Sequence, residues 1–201
     1  MIEINKKKDI VIPFDKIGDP DWDVKAKIII DSIAENFGND PQNPILDTEI
    51  LELETKLGTL LPESLKLFYK TFGLADIGEQ LQNFTEIGWI KDIWKDAPEY
   101  APDFTNSDKK YLPFLISFSD YLGNGNMFCF HCETKEIFYY DHDSQPYLSK
   151  MFNTVDDYIK GCLIFAQADF YGDVDYEKIE RWVEEIISGI IGDDKVSKWR
   201  Y

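Results

Sequence analysis

Cys129-Phe130-His131-Cys132 packs three zinc-ligand side chains into four residues. A structural zinc site needs four ligands converging tetrahedrally, and the only other histidine is His142. On an extended strand, Cys129 and His131 face one way and Cys132 the other. Cys162 lies on a separate helical pattern. Two packed thiols and a strand histidine account for the run, and no metal is expected. Asp141-His142-Asp143, with Asp120 and Glu133, can be drawn as an acid–base or metal-hydrolase cluster. Catalytic carboxylates, however, need partners that tune their pKa and a place for substrate, and no second cluster provides a nucleophile. A solvated loop after a strand is the plain alternative. Recognition is the third, because acids at strand ends can meet basic groups. Gly123-Asn124-Gly125 lacks the following Gly and Lys-Ser/Thr of a phosphate loop. Neither a catalytic set nor a cofactor is expected.

The elements that position these residues follow from periodicity. Ile50, Leu53 and Leu57 recur at helical spacing after Asp47 or Thr48, either of which can cap, and Gly58 can end that helix. Pro62 suits a first turn, and Leu65, Phe68, Tyr69 and Phe72 follow at i, i+3, i+4, i+7 before Gly73. The short apolar link Thr59-Leu60-Leu61 makes this a helical hairpin that needs a sheet to cover it. Upstream, Ile2-Glu3-Ile4 and Ile10-Val11-Ile12 read as short strands or a docked arm. A helix carrying Ala26, Ile29, Ile30, Ile33 and Phe37 then ends at Gly38, with Asp21 or Asp23 as its cap. The breaker-rich Asn39–Pro44 separates it from the hairpin.

Downstream the period changes. Thr85–Trp94 is aromatic and β-branched and reads as strand, with room for a turn. Phe114, Ile116 and Phe118 alternate with Leu115, Ser117 and Ser119, the pattern of a half-buried strand. Gly-Asn turn chemistry leads into Met127–Cys132, and Ile137–Tyr140 completes a meander. Thr154 and Asp157 stand near capping-box spacing ahead of a helix bearing Val155, Tyr158, Ile159, Cys162, Leu163 and Ala166. Helices on one face of an antiparallel meander sheet make an α+β fold. A last apolar stripe, Val174, Ile179, Trp182, Val183, Ile186, Ile187 and Ile190, must be buried on its own domain or on a partner. The expected division is an N-terminal extension at 1–45, a core at 46–168 and an acidic C-terminal amphipathic helix at 169–201.

Glu54, Leu57, Gly58, Leu61, Pro62, Phe68, Tyr69 and Gly73 form an E-x-x-L-G-x-x-L-P run closing in glycine. That run resembles the opening of the SUKH superfamily, the Smi/Knr-related proteins. Supporting it in order are Gly88-Trp89, Leu112-Pro113-Phe114, the Gly-Asn turn, Asp141-His142-Asp143 and Phe152 before the last core helix. The resemblance spans about 47–165 and implies an α+β core. For bacterial members it implies an immunity protein that binds a toxin, often a nuclease, and occludes its active site. Two other readings remain: a regulatory scaffold of the same superfamily, and a hydrolase using Asp141, His142 and Asp143.

Charge narrows the partner. Twenty-one basic against thirty-eight acidic residues leave −17 over 201 residues, and 169–194 alone holds nine acids against Lys178 and Arg181. Such a surface repels phosphate backbones, so nucleic acid is not an expected partner. It would speed the encounter with a basic protein, and it also keeps a protein soluble. No stretch approaches the roughly 20 apolar residues of a membrane span. Three cysteines are too few and too odd for a disulfide framework, which fits a reducing cytoplasm. A basic cognate toxin is the expected partner, with Trp94, Asp120, Tyr121, Asp141 and Asp143 as candidate contacts. Trp89 reads as core, while for Trp94 core and interface both remain open.

Overall fold

A computed structural model describes residues 2–120 and 123–200 of the chain. Helix α1 (Trp22–Phe37) buries Ala26, Ile29, Ile30 and Ile33, while Phe37 stands 56% exposed at its far end. Asp21 precedes it in a left-handed conformation without a side-chain cap. The hairpin follows as α2 (Asp47–Leu57) and α3 (Glu63–Phe72). The cap of α2 differs from expectation: Leu46 occupies the cap position, and its N–H donates to Glu49 Oε2 at 2.9 Å. Glycine is required after α3, where Gly73 has φ 64° and a Cβ would sit 2.1 Å from the Asn43 carbonyl oxygen. Close approach of the 39–44 link thus fixes that residue.

Next come the two-residue strands β1 (Gln80–Leu81) and β2 (Gly88–Trp89). Only Gly88–Trp89 of the expected 85–94 strand pairs, because the chain turns into a 3₁₀ turn at Ile90–Asp92. After the short α4 (Asp108–Tyr111), the meander runs β3 (Leu115–Asp120), β4 (Met127–His131), β5 (Ile137–Tyr140) and β6 (Leu148–Phe152). Every pairing between these strands is antiparallel, in the order β1-β3-β4-β5-β6, and β2 shares the outer edge of β3 with β1. Helix α5 (Val155–Phe165) is capped by the Thr154 hydroxyl, which accepts from the Asp157 N–H. Helix α6 (Tyr176–Ile191) is capped by Asp175, and α7 (Asp193–Arg200) follows directly.

The main core lies between the sheet and the helices. Ile116, Phe118, Phe128 and Phe130 meet Leu57, Leu61, Leu65 and Phe68, all at 5% exposure or less. Phe72 packs on this core while staying half-buried. The stripe of α6 closes on its own chain through Ile179, Val183 and Ile187, each fully buried. Unlike the half-buried strand expected, β3 is covered on both faces. The 90–114 excursion brings Ile90 and Phe104 over Leu115, Cys129, Phe138 and Tyr140 on the side away from the helices. Asp108 pins it there, accepting from the Leu148 and Thr105 N–H groups at 2.9 Å each and from the Thr105 hydroxyl at 2.7 Å. Burial pushes the Asp108 carboxyl up, and these donors outweigh it, so its pKa falls below the ordinary value.

The N-terminal segment is a docked arm. Ile4 makes a single parallel bridge to Tyr171, and both backbone groups of Val11 pair with the Gln167 side-chain amide at 2.8 Å. A side chain thus takes the place of the neighbouring strand that Ile10–Ile12 would need. Asp156 ties the arm to the hairpin, accepting from the Ile17 N–H at 2.7 Å and the Ser64 hydroxyl at 2.8 Å.

Candidate partner-binding surface

Sheet register gathers the candidate acids. Asp120 pairs with Met127, and Met127 with Tyr140, so Asp120 and Asp141 emerge at the same end of the sheet. Asp141 is not a free carboxylate. It accepts from the Ser144 hydroxyl at 2.6 Å and the Asp143 N–H at 3.0 Å, and Lys198 Nζ stands 3.6 Å away. Burial raises its pKa, but these donors more than offset that and hold it below the ordinary carboxylate value. Asp143 is the open member, with its side chain 81% exposed and His142 Nε2 at 3.3 Å. His142 is held by Asn126, whose Oδ1 accepts the His142 backbone N–H at 2.9 Å and lies 2.6 Å from Nδ1. Trp94 is half-buried between Phe104 and Tyr140, at 5.5 and 5.7 Å between ring centroids, and so serves the second core. Tyr121 lies outside the described residues.

Trp89 is core on one side only. Its indole N–H donates to the Leu57 carbonyl at 3.2 Å, and Lys91 Nζ lies 4.2 Å from its ring centroid. Cys129 is fully buried in the second core, where burial pushes its thiol far up. Cys132 packs toward the main core, so the two sulfurs sit on opposite faces of the sheet. His131 stacks on Phe114 at 5.0 Å, and its Nδ1 accepts the Glu133 and Thr134 N–H groups. Among the described residues, no group of three or more His, Cys, Asp or Glu could hold a metal ion.

A second feature escaped the sequence reading. Glu79, just before β1, is 6% exposed and lines a groove of about 1170 Å³ between α1, the loop after α3, and α7. Gly78 lets the backbone fit there: at φ 82°, a Cβ would lie 3.0 Å from the Ala166 Cβ. Glu79 Oε1 accepts the Trp199 indole N–H at 2.9 Å, whereas Oε2 is buried with no hydrogen-bond partner among the described residues. Burial pushes the carboxyl up to about 8; the Trp199 bond and Arg200 pull it back, and Asp120 and Asp76 push it further. Trp199 itself is 2% exposed, edge-on to Phe165 and Phe152 at 4.6 and 5.3 Å. The groove adjoins the strand-end acids, since Asp120 pairs with Gln80 and Lys198 joins α7 to Asp141.

No helix among the described residues is long and apolar enough to cross a membrane. No curated protein matches the chain. The family model described as SMI1 / KNR4 family (SUKH-1) matches residues 44–161, more than half of the 201. That interval opens just before α2 and closes within α5, leaving α1, α6 and α7 outside it. Its members commonly serve as toxin immunity proteins. The helical hairpin, the antiparallel meander and this match together place the chain in the SMI1 / KNR4 (SUKH-1) family.

Proposed function

We propose that the chain binds a cognate toxin and neutralises it without catalysis of its own, by covering the toxin's active site or substrate groove. The match to SUKH-1 over 44–161 is the observation that carries this reading. A net charge of −17 supports a basic partner, of the kind that holds a polyanion such as nucleic acid. The contact region proposed is the end of the sheet carrying Asp120, Asp141 and Asp143, with Trp94 on Tyr140 nearby, and Tyr121 is proposed with them from its sequence position after Asp120. Engagement of Asp141 by Ser144 and Lys198 favours recognition over hydrolysis there. The domain division at 46 and 168 stands as part of the same proposal, with the flanking segments bracing the core.

Co-expression with the toxin encoded beside this chain tests the reading. The chain is expected to rescue growth and to co-purify with the toxin. Its association rate should fall steeply as salt rises, because steering is screened over about 8–10 Å near physiological ionic strength, while dissociation changes little. Failure to rescue or to co-purify would overturn the reading.

A further inference from the structure

The groove around Glu79 combines two independent observations. Among the described residues it is lined by Asp23, Asp31, Asp40, Asp76, Glu79 and Asp169 against Lys27 and Arg200, with Lys27 paired to Asp31 at 2.7 Å. Its floor also carries a carboxyl more than nine-tenths buried, one oxygen of which no described residue satisfies. A buried polar atom left unpaired is destabilising, and native proteins leave few of them. The walls are apolar and partly aromatic, with Phe37 open at the rim and Phe72 and Trp199 deeper.

We propose that this groove receives an arginine side chain of the partner protein: the α7 end carrying Trp199 and Arg200 yields enough to open the Glu79 carboxylate, whose Oε2 is otherwise closed to solvent, to the guanidinium, and the side-chain stem lies on Phe37 and Phe72. This rests on the reading that the chain binds a protein partner. Guanidinium suits the site better than ammonium because it is weakly hydrated, stacks on aromatic rings and donates in a fork to a carboxylate. The void exceeds the roughly 300–1,000 Å³ of typical small-molecule sites, and its acids are spread from floor to rim. Both features fit a basic side chain with flanking backbone better than a compact free cation. The walls from α1 and α7 lie outside the 44–161 match, whereas Phe72, Asp76 and Glu79 lie within it.

Glu79 is largely protonated at neutral pH, so pairing with a guanidinium should release its proton. The groups facing it are Asp76 on its own loop, Asp120 at the end of β3, and Trp199 and Arg200 on α7; Tyr158 and Cys162 on α5 also interact with it.

The test uses the full chain and acetyl-Gly-Arg-Gly-amide, with its citrulline counterpart as an uncharged control of the same shape. The arginine peptide should shift the Trp199 indole N–H resonance saturably and release protons at pH 7. The citrulline peptide should bind at least tenfold more weakly. Glu79→Gln should lower arginine-peptide affinity at least tenfold with an unchanged circular dichroism spectrum. An unmoved indole resonance, or equal binding of the two peptides, overturns the proposal. A complementary arm measures affinity for the cognate toxin, where Glu79→Gln should again cost at least tenfold. Equal toxin affinity of parent and variant sinks the groove while leaving the immunity reading intact. A peptide response without any toxin binding supports the cation site and removes the immunity reading instead.

Discussion

Glu79→Gln should change how stability depends on pH, with a sign that follows from proton binding alone. The folded carboxyl keeps its proton up to about pH 8, against an ordinary value of 4.5. Between those limits the folded state holds the Glu79 proton and the unfolded state does not, so this group's contribution to stability falls as pH rises from 4.5 to 8 and is level on either side. A displacement of that size corresponds to roughly 5 kcal/mol across the window. Single domains are stable by only about 5–15 kcal/mol, so the decline should be plainly measurable. Glutamine cannot ionise, and its amide oxygen can still accept the Trp199 N–H. The variant should therefore match the parent, or fall about 1–3 kcal/mol short for an unpaired amide N–H, at pH 5. At pH 9 it should be the more stable protein by several kcal/mol. Urea unfolding followed by tryptophan fluorescence from pH 5 to 9 reads this directly. Parallel pH profiles for parent and variant would refute the assignment of the decline to Glu79.

Phe68 is fully buried under the sheet, so Phe68→Ala should cost roughly 3–5 kcal/mol in denaturant unfolding. The two loop acids should separate by role. Asp143→Asn should move stability by no more than about 0.5 kcal/mol, whereas Asp141→Asn loses a charged acceptor of Ser144 and Lys198 and should cost about 1–2 kcal/mol near neutral pH. Because the folded Asp141 carboxyl titrates below its ordinary value, that difference should shrink as pH falls through its folded pKa. Elemental analysis of purified protein should find no stoichiometric zinc, and about one zinc per chain would contradict the opposed facing of Cys129 and Cys132.

The helical hairpin was legible because its apolar residues recur at a helical period and its glycines stop both helices. The strands β4 and β5 were legible because aromatic and β-branched residues flank turn chemistry. By contrast, β1 and β2 are two residues each and owe their pairing to the edge of β3 rather than to local preference. Leu148–Phe152 carries Ser149 and Lys150 between its apolar ends, too short and mixed a pattern to announce a strand. The covered second face was hidden because Phe104 and Trp94 sit in a loop whose path depends on the buried Asp108. At the strand ends, sequence supplied the acids Asp120, Asp141 and Asp143 but not the Lys198 that engages one of them. Glu79 offered no local sign at all. A glutamate is ordinarily a surface residue, and its partner Trp199 lies 120 residues further along.

That separation bears on how the protein is made. Phe128, Phe152, Tyr158 and Phe165 all close around Trp199, so they must wait for a helix translated well after them. A ribosome emits roughly 5–20 residues per second, leaving an aromatic surface uncovered for seconds on each nascent chain. A chain released before Trp199 would keep that surface open, a mark that chaperones and proteases can read.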